Sequence, residues 1–142
     1  MKIVDLEREG LIRRLPKDRK RVKDTFDLAK RDIEFAKKIQ KENLDWTFAI
    51  AYNSMLQASR ALMFFYGYRP SGEKQHISVV RFAETILGDE FKKAIATFDR
   101  LRRKRHTIVY DIAGSISEYE AEFAVKSAEK FIRKIEKILK ER

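Results

Sequence analysis

Apolar residues recur along most of this chain at steps of three and four, the spacing that gathers them on one face of an α-helix. From about Asp18 to Glu42 the positions are Val22, Phe26, Ala29, Ile33, Ala36 and Ile39, and they predict one long amphipathic helix. The next stretch, Trp46 to Tyr66, is apolar or small on nearly every side, as in Phe48-Ala49-Ile50-Ala51 and Ala61-Leu62-Met63-Phe64-Phe65. A helix of that kind must be central, buried by its own bundle, by a second subunit or by both. Asp45 is its expected N-cap and Gly67 its stop, followed by a turn-rich connection, Tyr68-Arg69-Pro70-Ser71-Gly72.

Further along, Ile77, Val80, Phe82, Ala83 and Ile86 predict a helix from Gln75 to Leu87 that ends at Gly88, with Asp89 capping the one after it. That helix uses Phe91, Ala94, Ile95, Phe98 and Leu101 before reaching Ile108, Val109 and Tyr110. Ser117 and Glu120 have the spacing of a capping box and open a last helix, Glu118 to Lys140, with Phe123, Ala124, Ser127, Phe131, Ile135 and Ile138 on one face. Ahead of all this, Ile3, Leu6, Leu11 and Ile12 predict a short helix within residues 2 to 13 that ends before Pro16. The sum is an all-α, up-and-down bundle of four or five helices, read as one domain over residues 1 to 142: residues 1–17 a short helix and basic connection, 18–140 the bundle.

Composition agrees with long helices: 44% of residues are apolar, with only five glycines and two prolines. The absence of cysteine rules out disulfides, thiolate zinc sites and a thiol nucleophile. Charges every few residues in the first segment, with no long uncharged apolar run anywhere, predict a cytoplasmic protein that does not enter a membrane. Lys and Arg outnumber Asp and Glu by 32 to 22, a formal charge of +10 that makes polyanions, nucleic acid first, the partners to consider. Abundant Lys, Arg and Glu beside scarce Asn and Gln is also a balance favoured in thermophile proteins.

The densest charge is Arg100-Leu101-Arg102-Arg103-Lys104-Arg105-His106, followed closely by Tyr110 and Asp111. Like charges at helical spacing repel, and phosphate groups relieve that repulsion by accepting bidentate guanidinium contacts. At four-residue steps Arg102, His106 and Tyr110 share a helix face, giving a patch of cation, imidazole and phenol. Such a patch can take a proton from a ribose 2′-hydroxyl while arginines stabilise charge on the phosphate, a route to RNA cleavage without metal. Equally, the run reads as a solvated helix face. A second basic cluster, Arg13, Arg14, Lys17, Arg19, Lys20, Arg21 and Lys23, can guide a nucleic-acid backbone or simply begin an exposed helix. His76, at a helix start, reads as a cap or packing residue. Isolated glycines exclude phosphate-loop and dinucleotide fingerprints, so no cofactor is expected.

Three segments together resemble the HEPN domain family: Ala51-Tyr52-Asn53-Ser54-Met55-Leu56-Gln57-Ala58-Ser59-Arg60-Ala61-Leu62, then Phe65-Tyr66-Gly67-Tyr68-Arg69-Pro70, then Arg102-Arg103-Lys104-Arg105-His106-Thr107-Ile108-Val109-Tyr110-Asp111. The likeness spans roughly residues 18 to 140. It implies a small helical bundle that dimerises and sets two copies of an Arg, four to six residues, His motif in a shared cleft. Many such proteins are metal-independent endoribonucleases, including toxins paired with a nucleotidyltransferase antitoxin, while others bind nucleotide or a partner without catalysis. Two alignments carry the motif over. In one, Arg100 pairs with His106; in the other, which local sequence favours, Arg105 is the motif arginine, His106 the polar residue after it, and Tyr110 stands in the place of the histidine. The resemblance thus implies Arg105, His106 and Tyr110 as catalytic residues, with Arg100, Arg102 and Arg103 binding phosphate, and RNA or nucleotide as ligand.

Overall fold

The computed structural model describes the backbone of residues 2–110 and 114–141, with side chains for all of these except residues 90 and 108–110. Among the described residues the elements run α1 (Ile3–Arg8), β1 (Ile12–Arg14), α2 (Arg19–Ile39), α3 (Leu44–Tyr66), β2 (Tyr68–Pro70), α4 (Gln75–Leu87), a 3-10 turn (Asp89–Phe91), α5 (Lys92–Tyr110) and α6 (Glu118–Lys140). The architecture is the expected all-α bundle.

α2 starts where Asp18 accepts the backbone N–H groups of Lys20 and Arg21, at 3.0 and 3.2 Å, which satisfies two donors that a helix start leaves unpaired. Its stripe of Phe26, Ala29, Ile33 and Ala36 is buried. α3 is the centre of the bundle and packs on α2, α4, α5 and α6 of the same chain. Ala51, Tyr52, Ala58, Ala61 and Leu62 are wholly inaccessible, and the small residues among them let the neighbours approach closely. An aromatic chain crosses this core, with Phe98 of α5 lying 5.6 Å from the Tyr52 ring and 5.5 Å from that of Phe131 on α6.

The N-cap of α3 is Asn43, whose side chain accepts from the Trp46 N–H at 2.9 Å. Asp45, expected there, lies inside the first turn. Its carboxylate accepts the Gly114 N–H at 2.6 Å, tying the α5–α6 connection to the start of α3. At the other end Gly67 takes φ 86° and closes the helix through N–H donation to Met63 and Phe64 carbonyls, a left-handed position where glycine avoids the Cβ clash. The capping box at Ser117 and Glu120 forms as expected, with both bonds at 3.1 Å. Asp89 does not cap α5; it enters the 3-10 turn that leads into it.

Two further expectations are corrected. The first helix stops at Arg8, and Ile12–Arg14 is instead a strand antiparallel to Tyr68–Pro70, with Ile12 opposite Pro70 and Arg14 opposite Tyr68. The connection after Gly67 is therefore extended. Leu15 N–H donates to the Gly67 carbonyl and Ser71 N–H to that of Leu11, both at 2.9 Å, extending the pairing at each end. No helix among the described residues is long and apolar enough to cross a membrane.

Candidate functional site

Helical geometry divides the basic stretch of α5 between two sides. Arg100 turns toward α6, where its guanidinium carbon lies 5.2 Å from the Phe123 ring centroid, and Lys104 lies 3.8 Å from Glu120. Arg102, Arg103, Arg105 and His106 line a groove of about 500 Å³ that they share with Lys74 and His76 at the start of α4. Arg102 and His106, one turn apart, thus do face a common space. Tyr110 closes α5, and its side chain, like residue 111, lies outside the described residues.

Asp99 organises the cations. The Arg102 Nε donates to Asp99 Oδ1 at 3.0 Å, and Arg103 Nη2 stands 3.7 Å from Oδ2 of the same carboxylate. One acid therefore offsets repulsion between two guanidinium groups along α5 and limits their rotamers. Glu73 is the acid that lines the groove itself, against Lys74 and three arginines, so the groove is cationic.

His76 is the residue that sequence reasoning did not bring to the site. Its Nδ1 shares a 3.0 Å hydrogen bond with the Tyr52 hydroxyl, and the two rings lie 5.8 Å apart. The packing role expected of it is real, but its ring also lines the groove beside Arg102, Arg105 and His106. Burial, and then the nearby Arg105, Arg102 and Arg60, hold the His76 pKa below its ordinary value, so the imidazole is neutral at neutral pH. Burial pushes the Tyr52 phenol upward and keeps it protonated. Two tautomers satisfy the bond: the hydroxyl donates to a bare Nδ1, or Nδ1–H donates to the phenol oxygen and leaves Nε2 bare. In either, Nδ1 is engaged and Nε2 is the nitrogen left for the groove.

Topology explains why the pairing is hidden. Tyr52 precedes the end of α3 by fourteen positions, about 21 Å of helix. The chain must travel back along α3 between Tyr66 and His76, and the extended β2 segment supplies that reach. No local pattern in the sequence carries that information.

Arg105 has a second environment. Its guanidinium carbon lies 6.0 Å from the Tyr52 ring centroid, and the residue also lines a more apolar groove of about 480 Å³ with Arg31, Phe35, Trp46, Ile50 and Asn53. Buried Asp32 orders the polar rim there. It accepts from Arg31 at 2.9 and 3.1 Å and from Asn53 Nδ2 at 2.9 Å.

The other basic cluster is dispersed over β1 and α2 and is matched by acids: Arg14 with Glu7, Lys20 with Asp24, Lys23 with Asp27 and Arg21 with Asp18. These exposed pairs form no common cationic groove with α5.

Comparison with known protein families finds that the HEPN domain profile matches residues 22–138. No curated protein matches the sequence.

Proposed function

The chain belongs to the HEPN domain family, and we propose that it binds RNA through backbone phosphates in the groove between α4 and α5 and cleaves it there without a metal. HEPN domains are nucleotide- or RNA-related modules that often dimerise; the assignment of RNA cleavage to this groove is our own reading. The observation that carries it is the convergence of two imidazoles, His76 and His106, with Arg102, Arg103 and Arg105 on one cationic space.

The chemistry follows from that set. Guanidinium groups hold the non-bridging phosphate oxygens and offset the charge that builds on them. With Nδ1–H donated to Tyr52, His76 Nε2 takes the proton of a ribose 2′-hydroxyl. The 2′-oxygen then attacks phosphorus, the bond to the 5′-oxygen breaks, and that oxygen receives a proton from the imidazolium of His106. Products are a 2′,3′-cyclic phosphate and a free 5′-hydroxyl. The placement of Arg105 in the groove, with Arg100 over Phe123, supports Arg105 as the family's motif arginine. Tyr110 then stands where that family's histidine does, and His76 supplies an imidazole from another helix.

A noncatalytic reading is favoured by one observation: Arg102 and Arg103 are already engaged by Asp99, which suits static phosphate binding. We extend the proposal, on the family resemblance, to a homodimer in a toxin–antitoxin type pair with a nucleotidyltransferase. Light scattering and co-elution with a purified minimal nucleotidyltransferase test those two parts.

The deciding experiment is incubation of labelled RNA with excess EDTA beside the variants His76→Gln, Arg105→Ala and His106→Gln. Cleavage to cyclic-phosphate ends that the variants lose supports the enzyme. A parent protein that shifts RNA intact, with Arg105→Ala losing the shift, supports the binding module instead.

A further inference from the structure

Two of the largest exposed apolar side chains, Trp46 at 57% and Phe35 at 51% exposure, line the same groove. They belong to different helices, α3 and α2. Isolated exposed aromatics need no explanation, but two sharing a groove of about 480 Å³ do. That groove adjoins the phosphate groove through Arg105, which lines both. Its rim carries a second guanidinium, Arg31, anchored in place by Asp32.

We propose that the Trp46–Phe35 groove is a stacking site for an unpaired nucleobase, so that the ligand is single-stranded RNA whose backbone passes Arg105. The inference rests on the phosphate-groove reading and names its substrate class. An aromatic platform beside a cationic track is how single strands are held without regard to sequence, since each base offers a π-face. A duplex hides those faces. Charge selects this occupant over a second copy of the chain. A symmetric contact here places Arg31 and Arg105 against their own duplicates in a protein of net charge +10, whereas a phosphate strand neutralises them.

Trp46 is the sole tryptophan, so its fluorescence reports this groove alone. We expect a single-stranded oligoribonucleotide to quench it saturably, and the matching duplex or inorganic phosphate to leave it nearly unchanged. Trp46→Ala and Phe35→Ala should each weaken single-strand affinity about 5- to 150-fold in a gel shift or anisotropy titration, with inorganic phosphate binding unaltered. Both side chains are exposed, and an unchanged circular dichroism spectrum checks the fold. Equal single-strand affinity in the parent and both variants overturns the stacking site while leaving the phosphate groove intact. Loss of all RNA and phosphate binding in the parent itself overturns both readings. A tryptophan emission that shifts with protein concentration, abolished with dimerisation by Trp46→Ala, assigns the surface to a second copy and also overturns the proposal.

Discussion

The Tyr52 hydroxyl lies 3.0 Å from Nδ1 of His76, joining the most enclosed aromatic of the central helix to the first turn of α4. The bond fixes the ring that faces the arginines of α5 and leaves a single nitrogen for chemistry. In a general-base role His76 should account for about 100- to 10,000-fold in rate. His76→Gln should reduce cleavage by that order and leave RNA affinity within a few-fold. Tyr52→Phe, which keeps the ring and removes the bond, should lose less activity and about 1 kcal/mol of stability, read by urea denaturation.

The lowered His76 pKa sets a pH profile. A base must be unprotonated, so the acidic limb of kcat/KM should fall below the ordinary histidine pKa of 6.5. Arg105→Ala removes the second-largest cause of the shift, after burial, and should move that limb upward. Stability follows the same linkage. Because the unfolded chain holds the proton more tightly, the His76 contribution is complete above pH 6.5 and is lost as pH falls through the lowered value. Urea midpoints measured from pH 7 to pH 5 should decline less in His76→Gln than in the parent protein.

Salt dependence counts the phosphate contacts. For single-stranded RNA the slope of log K against log salt is about −0.7 per phosphate neutralised. Arg102→Ala and Arg105→Ala should each reduce that slope by roughly one contact's worth. Arg100→Ala, whose side chain lies over Phe123, should leave it unchanged. A slope that responds equally to all three would sink the division of α5 into two sides.

Asp45 is a clasp between the start of α3 and the loop before α6. Asp45→Ala should lower stability by about 1.5–3 kcal/mol, the range for a hydrogen bond to a charged group. Asp45→Asn keeps an acceptor and should recover part of that loss in a thermal melt.

Phe98, fully buried between the rings of Tyr52 and Phe131, should cost about 3–5 kcal/mol when cut to Ala. The cavity also frees Tyr52. Phosphate affinity measured at a temperature where the variant is folded should therefore fall less than cleavage does.

The long elements were legible because their signals are local. Phe26, Ala29, Ile33 and Ala36 mark α2 by period alone, and Ser117 with Glu120 marks the start of α6 by hydroxyl and carboxylate spacing. What escaped depends on partners distant in sequence. Three residues are too few for a period, so Ile12–Arg14 reads as a helix tail until Tyr68–Pro70 lies beside it. Asn43 and Asp45 are both good caps by residue type; the Gly114 N–H drew Asp45 to another task. The basic run was visible as charge, yet which arginines share a groove was settled by the rotation of α5 against α6 and α4. His76 looked inert because Tyr52 is twenty-four residues away.

The small sheet gives the first residues of the chain a reach beyond their size. β1 lies before residue 22, where the recognised family region begins, and it is paired with the strand that carries the chain back along α3 to His76. The amino-terminal arm thus works as a tensioner on the return run, setting where the imidazole stands while adding little to the helical mass. A truncation that keeps every helix from α2 onward removes that tension, so a shortened protein can stay helical by circular dichroism and still have its two imidazoles out of register.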